Sequence, residues 1–191
     1  MNRKLNVLRL CTAALLVAVG ILIPMFMPPP LKLYIPPMSF TLASHVAIFI
    51  AMFISPMAAF AVAIGTTLGF VFSGLPLDVW LRALSHVVWA VLGALWLKKH
   101  PDILFKPFPS LLFCIIVGIV HALLELGVIL VLYFGGFGGV AEKFQESGYL
   151  LIFLLVGVGT LVHSSVDYVL SLLVWRPARN LNSIRSIATV H

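Results

Sequence analysis

Residues 40–73 read FTLASHVAIFIAMFISPMAAFAVAIGTTLGFVFS, without one Asp, Glu, Lys or Arg. As a single helix the stretch would be about 50 Å long at about 1.5 Å per residue, against roughly 30 Å of bilayer hydrocarbon. It therefore has to fold back. Ser55-Pro56 is the natural break, because proline interrupts a helix ladder except in its first turn. Two spans result, at about 40–54 and 57–73.

Outward from this stretch the chain keeps the same character. A first span over about 10–27 stops at Pro28-Pro29-Pro30, a stiff extended segment. Further spans are predicted over about 76–97, 110–134 and 149–175. The fold class is thus an all-α integral membrane protein: a six-transmembrane-helix bundle in a single transmembrane domain over residues 1–191. Composition agrees, with 62% hydrophobic residues, 9% charged residues and a mean hydropathy of +1.15. Soluble domains charge about a quarter of their residues. The first apolar run lacks a small-residue cleavage site and is expected to stay as a helix. Cys11 and Cys114 supply no disulfide framework and are expected to be reduced and structural.

The net charge of +6 does not make a nucleic-acid binder, because the basic residues sit at the ends of apolar runs. With the amino terminus inside, Arg3, Lys4, Arg9, Lys98, Lys99, Lys106, Arg176, Arg179 and Arg185 fall on the cytosolic side. Only Lys32 and Lys143 fall outside, while Arg82 lies within a span. This positive-inside bias predicts cytosolic termini, with external loops at 28–40 and at Gly135-Gly136-Phe137-Gly138-Gly139.

Within the hydrocarbon the chain carries His45, Arg82, His86, His121, Glu125 and His163. A charge at membrane depth costs roughly 2.5–3.5 kcal/mol on insertion scales, so such residues normally face the interior and have a task. Arg82, His86 and Trp89 share one helical face, as do His121 and Glu125. All fall in the central and outer layers, where a pocket filled from outside would lie. The pattern predicts a site for a small polar or anionic molecule. Arg82 would clamp a carboxylate with its guanidinium fork. His45, His86 and His121 would supply donors or acceptors, and Trp89 and Tyr34 would cover a ring.

A plainer use of the same residues is a packing network, with Arg82 paired to Glu125 and each His bonded to backbone or Ser. His163 and Asp167, four residues apart, could be such a structural pair or part of the pocket. No metal and no cofactor is expected, since the spacing lacks a compact His-Glu-x-x-His pattern. A membrane enzyme using Glu125 and the histidines is the competing class, though no nucleophile motif accompanies them. Gly65 and Gly69 form a GxxxG match, and Ala14 and Ala18 a small-xxx-small match, each permitting close approach of a helix.

Six short helices in this length, a longer external loop after the first, and the Ala14-x-x-x-Ala18 motif resemble the substrate-binding S components of energy-coupling factor (ECF) vitamin importers. The resemblance covers essentially the whole chain. Ser55-Pro56 with Gly65 and Gly69 resembles the family's Gly-Pro and glycine-spaced third helix, with Ser55 in place of the commoner glycine. Within the family, residues 39–45 (SFTLASH) and 82–86 (RALSH) look most like the niacin-type subgroup, with pantothenate-type members the nearest rival. The resemblance implies a bacterial plasma-membrane protein that captures a vitamin from outside. It would dock on a transmembrane coupling protein and two ATPase subunits through Ala14 and Ala18, topple in the membrane, and use the loop at 28–40 as a lid. In that picture nicotinate would place its carboxylate on Arg82, its ring against Trp89 and its ring nitrogen on a His.

Overall fold

Where water is absent, a backbone must satisfy its own hydrogen bonds, and an apolar chain does so as helix. Helices dominate the computed structural model, which describes residues 3–35, 38–137, 142 and 148–190. Helix α1 (Arg3–Phe26) is followed by an antiparallel hairpin of β1 (Lys32–Ile35) and β2 (Met38–Thr41), with Lys32 opposite Thr41. Then come α2 (Val46–Ile54), α3 (Pro56–Phe72) and α4 (Leu77–Lys99). A 3-10 turn (Ile103–Phe105) leads to α5 (Pro107–Phe134), and α6 (Gly148–Ala178) is followed by the short α7 (Asn182–Arg185). By length and apolarity α1, α4, α5 and α6 are each able to cross a membrane, and α3 is a shorter apolar helix of 17 residues. The fold is that of a mostly helical integral membrane protein.

The span predicted over 40–54 takes a different form. Phe40 and Thr41 belong to β2, and the helix that follows has nine residues. At about 1.5 Å per residue, α2 is about 13 Å long and cannot cross the hydrocarbon. Its apolarity serves another end: α2 is the core of the bundle, packed against α1, α3, α4 and α6. Ala47, Ile48, Phe49, Ala51, Met52, Phe53 and Ile54 are all buried. The predicted external loop at 135–139 is described only as far as Phe137, and Lys143 lies outside the described residues.

A helix buried at both ends must have its terminal N–H and C=O groups satisfied by other parts of the chain. At the start of α2 the Asp167 carboxylate accepts from the Ala43 N–H at 2.8 Å and the His45 N–H at 3.0 Å. At the other end the Thr189 N–H lies 3.1 Å from the Phe53 carbonyl and 3.0 Å from that of Ile54, and its hydroxyl donates to Ile54 at 2.8 Å. Val190 donates to Phe53 as well, and its side chain, like that of Ile187, is buried in the same core. Ser55 separates α2 from α3 in extended conformation, and its hydroxyl caps α3 by accepting from the Ala58 N–H at 3.1 Å. Pro56 at the first position of α3 has no N–H to leave orphaned.

Gly65 and Gly69 face α1. A Cβ on Gly69 would stand 2.8 Å from the Ile21 Cα and 2.7 Å from the Ile21 carbonyl oxygen. The GxxxG match is therefore spent inside the chain. Ala14 and Ala18 lie on the exposed side of α1.

In α6 the segment Phe153–Val158 is π-helical, where the sequence predicts a plain helix. The turn ends at Gly159, on which the Phe40 ring and the Met38 side chain pack closely. Immediately beyond it stands Thr160, the first of the polar residues α6 turns inward.

Candidate functional site

Two carboxylates organise the polar interior. Glu125 on α5 accepts from Arg82 Nη2 at 2.8 Å and from the Thr160 hydroxyl at 2.6 Å, both on Oε2. Its Oε1 faces His86 Nε2 at 3.2 Å and His121 Nε2 at 3.3 Å. An ionised carboxylate only accepts, so four donors from α4, α5 and α6 converge on one acceptor group. Arg82, 2% exposed, also directs Nη2 at the Met38 sulfur at 3.2 Å. Breaking such a buried pair on one side typically costs about 3–5 kcal/mol.

Asp167 on α6 forms the second centre. Beside the two backbone N–H groups it accepts from His45 Nδ1 at 3.0 Å, while His163 Nε2 stands 3.6 Å away. His45 occupies the position before α2, in a turn opened by Ala43 at φ 65°. Its ring sits among three others, with centroids 4.8 Å from His86, 4.8 Å from His121 and 4.9 Å from His163.

Beside this layer lies a small cavity of about 20 Å3, room for little more than a single water and well below the roughly 300–1,000 Å3 usual for small-molecule sites. Arg82 and His86 from α4, Glu125 from α5, Thr160 and His163 from α6 and His45 before α2 line it. The hairpin covers it through Met38, Ser39 and Thr41, and Ser44 and Phe70 complete the wall. Irregular backbone at membrane depth is tolerated where it is buried in protein. Met38, Thr41, Ser44 and His45 meet that condition, each at most 4% exposed.

Of the residues the sequence singles out, His45, Arg82, His86 and Glu125 line this cavity, as does His163, while its neighbour Asp167 does not. His121 and Trp89 lie a layer beneath, buried and stacked on one another at 4.8 Å. Tyr34 stands on β1, partly exposed and apart from the lining. The Arg82–Glu125 pair of the packing reading is present. Thr160 was not among the predicted residues, although its spacing from His163 and Asp167 places all three on one face of α6. Cys11 and Cys114 are both free thiols.

An apolar helical bundle closed round an ionic chamber is the build of a multi-pass membrane protein with an internal polar site. The chain is 46% identical over 172 residues to the niacin transporter NiaX of Lactococcus lactis subsp. cremoris, an alignment covering 90% of this chain and 74% of that one. It belongs to the family of that transporter and is a multi-pass protein of a bacterial membrane. No family model matches the chain, and no solved structure does.

Proposed function

We propose that the chain is the niacin-binding S component of an ECF-type importer, taking nicotinate from outside the cell into the chamber beneath the hairpin. One observation carries the reading: Arg82 lines a buried cavity in a chain 46% identical to a protein named a niacin transporter. Nicotinate is a flat ring bearing one carboxylate, and the cavity of about 20 Å3 would widen to admit it by displacement of the hairpin residues that cover it. Glu125 holds Nη2 of the guanidinium, which fixes the direction in which the fork meets a second carboxylate. His45, His86 or His163, all on the lining, would meet the ring nitrogen, and Phe70 would cover a ring face.

The orientation has both termini cytosolic and the hairpin outside as a lid. It is supported by Lys98, Lys99, Lys106, Arg176 and Arg179, which all flank helix ends remote from the hairpin. The protein is not an enzyme in this reading. Glu125, engaged by four donors, serves in this reading as a structural anion and not as a general base. ATP hydrolysis belongs to two partner subunits, and the exposed Ala14–Ala18 face of α1 meets the transmembrane coupling protein.

Calorimetric titration of the purified protein with nicotinate tests the reading. Saturable binding at one site per chain is expected, with nicotinamide, which lacks the carboxylate, bound far more weakly. Arg82→Ala should weaken nicotinate binding by about 2–5 kcal/mol, the scale for truncating a buried charge partner. No binding by the folded wild-type chain, or equal binding by the variant, would sink the assignment.

A further inference from the structure

Each of three imidazoles here has one nitrogen facing a carboxylate. His45 offers Nδ1 to Asp167 at 3.0 Å, while His86 and His121 offer Nε2 to Glu125 at 3.2 and 3.3 Å. Because an ionised carboxylate only accepts, each facing nitrogen carries the proton, and the other nitrogen of each ring keeps a lone pair. Those second nitrogens are His45 Nε2, His86 Nδ1 and His121 Nδ1. Among the described residues His86 Nδ1 and His121 Nδ1 are fully buried without a hydrogen-bond partner. A buried polar atom left unpaired is costly, and two of them on rings whose centroids are 4.7 Å apart call for an account.

The rings themselves form a triangle, with centroids 4.8, 4.8 and 4.7 Å apart. One nitrogen from each lies within 4.8 Å of one from each of the others. In a tetrahedral zinc site with bonds of about 2.0–2.1 Å, the nitrogens stand about 3.3 Å apart, so the three rings would draw together as an ion bound. A histidine whose outer N–H is held by a carboxylate is the usual second-shell arrangement of a metal ligand. Charge points the same way: Glu125 and Asp167 bring two negative charges against the single positive charge of Arg82.

We propose that His45, His86 and His121 form a three-histidine site for a divalent transition-metal ion of the zinc type, oriented by Asp167 and Glu125. A fourth coordination position would turn to the cavity, where water or a donor atom of a bound solute completes the shell. The ligands come from the turn before α2, from α4 and from α5, so no compact sequence motif could announce them. The proposal does not need the niacin reading, and nicotinate binding to metal-free protein would leave that reading standing.

The test uses the full chain in detergent, carrying a non-histidine affinity tag and stripped with chelator. Titration with Co2+ should show one ion per chain, the visible bands of a four-coordinate nitrogen-rich site, and quenching of Trp89, whose ring lies 4.8 Å from that of His121. Zn2+ should displace the Co2+ and raise the thermal unfolding midpoint, since a ligand bound only by the folded state stabilises it. His86→Gln and His121→Gln should each weaken Co2+ binding by more than about 100-fold, beyond the 10–100-fold typical of second-shell losses. His163→Gln, which removes no proposed ligand but stands beside Asp167, should weaken it by less than about 10-fold. Absence of stoichiometric Co2+ binding in the wild-type chain overturns the proposal whatever the variants do. So does loss of binding in His163→Gln with retention in the other two, which would move the ion to the neighbouring group of His45, His163 and Asp167.

Discussion

Asp167 and Glu125 differ in what they hold. Glu125 collects side chains, whereas Asp167 reaches from α6 to take two backbone N–H groups at the entry to α2. Asp167→Ala would strand both N–H groups in a site that is itself fully buried, at about 1–3 kcal/mol each. The expected outcome is a clear fall in the thermal unfolding midpoint, with Asp167→Asn falling less because its oxygen still accepts. An unchanged midpoint in Asp167→Ala would mean that water reaches these groups. At this scale the sequence is informative wherever the cause is local. The spacing of Arg82 and His86 puts both on one face of α4, and both do meet Glu125. What spacing cannot show is which residues meet across helices, so Asp167 could not be told from an ordinary partner of His163.

Among the elements, α1 and α3 are joined where Gly69 lets the two backbones touch. Gly69→Ala forces a Cβ to within 2.8 Å of the Ile21 Cα, where no side-chain motion gives relief. Overpacking of this kind costs about 1–3 kcal/mol. Gly127→Ala on α5 meets nothing within 4 Å and should be neutral or stabilising by about 0.5–1 kcal/mol. Unfolding of the two variants in detergent decides the matter; equal midpoints would remove the close contact from the account. The break between α2 and α3 has a cause legible at Ser55 and Pro56 alone. The hairpin and the shortness of α2 do not, because hydropathy rates Ile48, Phe49 and Met52 alike whether lipid or protein covers them. Only their near-complete burial separates a core helix from a spanning one.

For the whole molecule, the prediction concerns assembly. Replacing Ala14 and Ala18 by Leu adds bulk to an exposed face of α1 remote from the chamber. Nicotinate binding should be retained while ATP-driven uptake by cells supplying the ECF module is lost; normal uptake would discard this docking face. A different consequence follows from the strap at Thr189. Its bonds to Phe53 and Ile54 close the centre of the bundle with residues made 135 positions later. At about 5–20 residues per second the ribosome needs on the order of 10 s to cover that distance. Throughout that interval the last carbonyls of α2 are without these partners. The capping of the buried centre is thus supplied late in synthesis, and a chain ending before residue 189 lacks the groups that satisfy these carbonyls.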